Sequence, residues 1–312
     1  MSSVAETQAT QSPDRSWLAT LLAKRELLLG IVIVVTCIVF ALGNPTFLSA
    51  AHLFGIGRSA VVVGIMALGV LLVLLTGGID VSVSAIAVSS MYLTTVTLQA
   101  IDFQGTFLVA IALAVLIGAI LGLINGVLVA WLKLPSMIVT IGTLTLYRGG
   151  LLAFVGTERI RSLPAQMSDF ARTQLFTTQS AGRTVSLHAS VLILIVLAIV
   201  LAFLLHRLWW GRYIYAIGDD EEAAKRMGVK VNLIRTSAFI VSGATAGLAG
   251  LFYAAMNRAA DPSTFTGLEM TVLAAVVLGG AAVTGGRGSV LGTMLGVLLI
   301  TVVGSSLVLV GI

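Results

Sequence analysis

Charge is what this chain has least of. Only 10% of its 312 residues are charged while 58% are hydrophobic, and a soluble globular domain carries roughly 25% charged residues. That excludes an ordinary soluble domain and points to an integral membrane protein. Cysteine is nearly absent as well: Cys37 stands alone inside an apolar run, so no disulfide framework can form and the thiol is expected to pack as a small apolar group. The three histidines, His52, His188 and His206, are scattered without metal-ligand spacing. Neither residue type offers a metal or redox centre. The formal charge of +5 would suit nucleic acid in a soluble protein, but in a membrane protein it reads as topology, because Lys and Arg collect on the cytoplasmic side.

What the chain does have is a succession of apolar runs. The first, "LLLGIVIVVTCIVFALG" (27–43), follows a polar lead, 1–26, that holds Arg15, Lys24, Arg25 and Glu26. That lead is long for a cleavable signal sequence and many apolar segments follow, so the run is read as a first spanning helix behind a cytoplasmic tail. Further runs lie at 59–79, 81–100, 107–132, 136–156, 187–205, 236–256, 269–284 and 289–310. Since about 20 residues cross a bilayer core, an all-α, polytopic transmembrane bundle of about nine to ten spanning helices is expected, forming one domain over 27–312. With the N-terminus in the cytoplasm, Arg15, Lys24, Arg25, Lys133, Arg207, Arg212, Lys225, Arg226, Lys230, Arg235 and Arg287 lie inside, against Arg159, Arg161, Arg172, Arg183 and Arg258 outside. The bias favours that orientation. Glycine recurs at four-residue spacing, at Gly118, Gly122 and Gly126, at Gly243 and Gly247, and at Gly288, Gly292 and Gly296; in lipid such stripes let helices approach closely, and they predict a tight bundle with no chemistry of its own.

The scarce charge is concentrated in "GDDEEAAKRMGVKV", Gly218–Val231. The surrounding stretch, 206–235, is too polar to span. Asp219, Asp220, Glu221 and Glu222 sit where a helix N-terminus favours negative charge, Lys225 and Arg226 where its C-terminus favours positive charge, and Gly228 suits the C′ position, so a short helix over 219–227 is predicted. So short a helix is marginal alone in water and is expected to dock on something. Ala223, Ala224 and Met227, with Val229 and Val231 beyond, would form its greasy contact strip. A solvated cytoplasmic loop is the plainer alternative.

"GRYIYAIGDDEEAAKRMGVKV" resembles the cytoplasmic coupling region of permeases in bacterial ATP-binding-cassette importers for simple sugars, the group that includes ribose, rhamnose, xylose and autoinducer-2 permeases. "LLTGGIDVSVSAI" (74–86), "NGVLVAWLKLPSMIVTIGTLTLYRGG" (125–150) and "LGGAAVTGGRGSVLGT" (278–293) resemble further segments of that family in the same order. The resemblance implies that Asp219–Gly228 is a coupling helix resting in a groove of a separate ATPase subunit. It also implies a second permease subunit, an external substrate-binding protein, and ATP with Mg bound by the partner ATPase. This chain is expected to bind no nucleotide and to be no enzyme: "GAAVTGGR" (Gly280–Arg287) has the first glycine spacing of a phosphate loop but lacks the Lys followed by Ser or Thr, and reads as a turn between two helices. One departure is the end of the chain: in the family another apolar helix follows the region matching "SSLVLVGI", which leaves the topology of the last third open. The segment 125–150 leans towards autoinducer-2 or rhamnose permeases over ribose.

Candidate path residues come from polar groups inside apolar stretches. Asp80 follows Gly77 and Gly78, which suggests a broken helix. The acid either lies beside the translocation path or caps a helix beginning at Val81. Both readings are compatible, since a helix start at membrane depth is tolerated where it lines protein or water. Thr140, Thr143 and Tyr147 share one face of the helix after Pro135 and would suit a sugar's hydroxyls, unless the threonines bond to backbone or to a neighbouring helix. Asn125 carries the same two readings, and Arg148 reads as a snorkelling anchor. The outer loop 157–186 offers Glu158, Arg159, Arg161, Asp169, Arg172 and Arg183 as a surface for the binding protein.

The function expected is therefore that of the membrane-spanning subunit of an ATP-driven importer of a simple sugar or sugar-like solute, in a bacterial inner membrane, working by alternating access. A secondary transporter driven by an ion gradient is the rival class. It would need membrane carboxylates, of which Asp80 is the only one read well inside a span, and no amphipathic cytoplasmic helix. An intramembrane enzyme fits worst, because no nucleophile and base or ligand set lies within the spans.

Overall fold

The computed structural model describes residues 25–180 and 183–310; most of the N-terminal tail, 1–24, lies outside them. Twelve α-helices and one hairpin follow in order: α1 (Arg25–Gly43), α2 (Ala50–Leu75), α3 (Val83–Ala100), α4 (Phe107–Ala130), α5 (Ser136–Phe154), α6 (Ala165–Phe170), β1 (Gln174–Ser180), β2 (Arg183–His188), α7 (Ser190–Arg207), α8 (Trp209–Asp219), α9 (Glu221–Arg226), α10 (Val231–Asn257), α11 (Leu268–Leu278) and α12 (Val290–Val310). Among the described residues eight helices are long and apolar enough to cross a membrane; α11 is apolar but has only 11 residues.

The helices arrange themselves by how their apolar residues are distributed. From Val61 to Leu75 every residue of α2 is buried, so a helix that is apolar all round becomes the central post. The glycine- and alanine-rich α10 packs on α2, α3 and most extensively on α4, while α12 joins α2, α11 and the peripheral α1. Small residues set those distances. A methyl group at Gly118 or Gly122 would run into the carbonyls of Gly243 and Phe239, and one at Gly247 into that of Ala114. The first two glycine stripes of the sequence are thus the α4–α10 seam, backbone against backbone, while Gly292 and Gly296 of the third meet Gly279 and Ala275 between α12 and α11.

One end of the bundle carries the hairpin. Strands β1 and β2 pair antiparallel, with Thr177 opposite Ser186 and Thr178 opposite Val185. Ile160 and Ala260 exchange backbone hydrogen bonds of 2.8 and 2.9 Å there, and Tyr92 donates to the Glu158 carbonyl at 3.0 Å. The loop expected over 157–186 is therefore partly built, by α6 and by a hairpin that runs to His188, so α7 begins at Ser190 rather than 187. Glu158, Arg159, Arg161, Asp169 and Arg172 are exposed at that end; the side chain of Arg183 is not among those described. The opposite end carries α8 and α9.

Candidate functional site

At the α9 end the short charged helix forms for the local reasons its sequence offers. The Asp220 carboxylate accepts from the Ala223 N–H at 3.0 Å and caps the N-terminus. Gly228 lies at φ 82°. Its N–H donates to Lys225 O at 2.9 Å and that of Val229 to Ala224 O at 3.1 Å, the paired bonds of a glycine C-cap. The helix is shorter than expected: Asp219 is the last residue of α8, because Asp220 turns extended between the two. The greasy strip also divides. Ala224 is fully buried against the chain's own body, with Val229 and Val231, while Met227 is 70% exposed.

Behind α9 lies a connection that the sequence did not single out. Glu221 Oε1 pairs with Lys225 Nζ at 2.8 Å, and its Oε2 with Arg235 Nη2 at 2.7 Å. The same guanidinium donates to the Thr76 carbonyl at 3.3 Å, at the C-terminus of α2. The hydrogen bond from Lys225, and then the Arg235 guanidinium, hold the Glu221 carboxyl below its ordinary range. A cavity of about 500 Å3, lined by Gly77, Gly78, Lys133, Ser136, Glu221 and Arg235 among others, runs from this pair to the end of α2. The turn 280–288 closes the other side. Gly286 N–H donates to Leu75 O at 3.0 Å, and a methyl group at Gly218 would strike both Leu75 O and Gly286 N. The glycines of "GAAVTGGR" thus press this turn against α8 and α2.

Beyond Thr76 the chain breaks, with Gly77 at φ 77°, and α3 begins at Val83, two residues later than expected. Asp80 is buried in the gap. Its Oδ1 accepts from the Ser82 N–H at 3.0 Å and hydroxyl at 2.6 Å; its Oδ2 accepts from the Ser242 hydroxyl of α10 at 2.9 Å. Asn125 on α4 donates to Ser82 Oγ at 2.7 Å, and Tyr147 on α5 donates to Asn125 Oδ1 at 3.2 Å. Thr140 donates to Ile79 O at 3.2 Å, while Thr143 reaches only the Thr140 carbonyl at 3.3 Å. Of the five residues singled out from the sequence, Asp80, Asn125, Thr140 and Tyr147 are linked around the break while Thr143 bonds within its own helix; all five are buried, and their polar groups are engaged within the chain. Arg148, expected as an anchor, donates instead to Thr264 O at 3.1 Å and ties α5 to the stretch before α11.

Removing the Asp80 carboxylate leaves the buried donors of Ser82, just before α3, and of Ser242 on α10 without an acceptor, at about 1–3 kcal/mol each. Asp80→Ala is accordingly expected to cost about 3 kcal/mol or more, and Asp80→Asn less, because its amide oxygen still accepts. Thermal unfolding of the purified variants in detergent checks the order; equal stability of Asp80→Ala and wild type would contradict it.

A second acid escaped the sequence reading. The apolar run 269–284 is expected as a full-length span, but the helix ends at Leu278 with Gly279 as its C-cap, and Glu269 lies in its first turn. Its carboxylate accepts from the hydroxyl of Ser84 on α3 at 2.6 Å. Asp80 is thus not the only acid of the membrane region. The available signal was the glycine pair 279–280, which closes the helix early. Among the described residues, no group of three or more His, Cys, Asp or Glu gathers as a metal site.

Comparison with known proteins agrees with this architecture. Residues 52–312 match the family model described as branched-chain amino acid transport system / permease component. The chain is 38% identical over 263 residues to the autoinducer 2 import system permease protein LsrC of Escherichia coli O9:H4 (strain HS), covering 84% of this chain and 73% of the relative. It is 37% identical over 281 residues to the protein of the same name from Salmonella typhi, covering 89% and 77%. No solved structure matches. With eight membrane-length helices around a central post and a family match over most of its length, the chain belongs to the branched-chain amino acid transport system / permease component family and is a multi-pass transport permease, not a catalytic enzyme.

Proposed function

We propose that this chain is the membrane subunit of an ATP-driven importer of a sugar-like solute in a bacterial inner membrane, and that α9 receives the movement of a separate ATPase subunit. The kinship with autoinducer 2 permeases supports autoinducer-2 or a small sugar as cargo. ATP and Mg would sit on the partner ATPase, the N-terminus in the cytoplasm, and a substrate-binding protein against the hairpin end, with a second permease subunit completing the transporter. The single observation that carries the reading is the continuous link from α9 to the break in the membrane: Glu221 to Arg235, Arg235 to the Thr76 carbonyl, and the backbone on to Asp80. A push on α9 would reach Gly77 and Gly78, the residues freest to turn. From there Ser82, Ser242, Asn125 and Tyr147 would carry it into α3, α10, α4 and α5, opening the protomer interface to either side in turn. In this reading the five buried residues hold the moving break together and need not touch solute. Family membership, rather than the number of membrane acids, is what disfavours an ion-driven carrier.

The division of the apolar strip dictates the test. Met227→Asp changes only an exposed contact, whereas Ala224→Asp would place a charge in the chain's own interior. In proteoliposomes holding the chain with its ATPase and binding protein, Met227→Asp is expected to reduce ATP-driven uptake of autoinducer-2 about tenfold or more, equivalent to about 1.4 kcal/mol of docking energy, with normal insertion. Wild-type uptake that follows an ion gradient without ATP would overturn the proposal.

The link also sets a pH dependence. The Glu221 carboxyl is depressed in the folded chain, so its contribution is fully present above the unfolded value of about 4.3 and is lost as pH falls through the lower folded one. Coupling should therefore stay flat from pH 8 to about 5. A fall in the ratio of uptake to hydrolysis centred near pH 6 in the wild type and absent in Glu221→Gln would contradict this.

A further inference from the structure

We infer that the Glu269 carboxylate faces the water-filled translocation path, where it accepts hydrogen bonds from the hydroxyls of a neutral polyhydroxylated solute. This rests on the importer reading and adds a residue that contacts the cargo. Its depth follows from two independent rulers. From Glu269 to the end of α11 at Leu278 the helix rises about 14 Å, which separates Glu269 from the turn lying against Leu75 at the α9 end. On the other side, Ser84 lies on α3 about 22 Å of helix from Gln99, whose amide meets the Ser162 carbonyl at the hairpin end. In a hydrocarbon core about 30 Å thick the acid is near the middle.

A carboxylate there cannot face lipid at small cost: the lower estimates for a charged side chain at the centre of a bilayer are about 2.5–3.5 kcal/mol. Yet Glu269 is only half-buried, and among the described residues no cation pairs with it. Oε2 is taken by the buried Ser84 hydroxyl, while Oε1 has no partner among the described residues. Its exposed side must therefore meet water. On α11 the exposed neighbours Met270, Val277 and Leu278 are apolar, and Glu269 is the one charged residue of that helix. An ionised carboxylate has acceptors and no donor, and takes adjacent hydroxyls on its two oxygens. It would repel an anion, so a neutral polyol is the chemistry it suits.

The lone native thiol makes this measurable. Glu269→Cys in a Cys37→Ser background is treated in liposomes with a membrane-impermeant thiol reagent, beside Leu116→Cys, an exposed position on the apolar face of α4, and Arg159→Cys at the hairpin end. Cys at 269 is expected to react at least about tenfold faster than Cys at 116, and with the ATPase present its rate should change between nucleotide-free and vanadate-trapped states. Equal, slow reaction at 269 and 116 in both states, while 159 reacts, would overturn the inference. Glu269→Gln, if folded by thermal unfolding, should reduce initial autoinducer-2 uptake about tenfold, with Glu269→Asp intermediate; wild-type uptake by Glu269→Gln would overturn the solute contact. A reactive thiol at 269 in a transporter whose wild type imports nothing with ATP would sink the importer reading and leave the aqueous path standing.

Discussion

Arg235→Gln should uncouple transport: hydrolysis by the partner ATPase continues while uptake falls about tenfold or more. The guanidinium makes two charge-assisted contacts, to Glu221 and to Thr76 O, and such bonds contribute about 1.5–3 kcal/mol each where they are shielded. Arg235 is 18% exposed and Glu221 37%, so the ion pair alone is discounted toward the lower figure. A loss of about 1.4 kcal/mol already changes an equilibrium tenfold. Both contacts run through Nη2, so Arg235→Lys, which keeps the charge and three donors on one nitrogen, should recover much of the coupling. Glu221→Gln should resemble Arg235→Gln, and the double variant should add little to either. Additive losses, or a parallel fall in hydrolysis and uptake, would show that the two side chains act separately.

Gly243→Leu should leave no folded chain to assay. At Gly243 even a methyl group would run into the Gly118 carbonyl and lie 2.9 Å from Gly122 N and Cα, so the obstruction is backbone and cannot rotate aside. Separating α10 from α4 breaks the most extensive helix contact in the bundle, and overpacking by flexible side chains alone costs about 1–3 kcal/mol. Gly142→Ala on α5, where nothing lies within 4 Å, is the matched control and should fold normally. Monodisperse elution in detergent with native helical content for both would refute the assignment of this seam.

Much of this was legible because membrane solvent is a strict reader of sequence. Apolar length located the spans, and the pair Gly77–Gly78 before an acid marked the broken helix. The spacing of Thr140, Thr143 and Tyr147 put three polar groups on one buried helix face, of which Thr140 and Tyr147 are tied to the break. What stayed hidden required the third dimension. Hydropathy runs on unbroken through Gly279 and Gly280, so a half-length helix looked full-length and Glu269 went unnoticed at its start. Ala224 and Met227 are equally apolar on paper, and only the placement of α9 against α8 decides which of them faces inward. Arg235 counted merely as one basic residue among many, since its two acceptors come from segments 14 and 159 positions away.

The shortness of α11 bears on how the chain is made. Helices enter the bilayer from the translocon when they are long and apolar enough to be stable there singly. At 11 residues, with an acid in its first turn, α11 is not such a segment. Its stable position depends on the seam in which Gly279 meets Gly292 and Ala275 meets Gly296, and so on α12 having been synthesised. Lateral release of α11 must wait for its hairpin partner, and bulky residues at 292 or 296 would strand it during biogenesis before transport could begin.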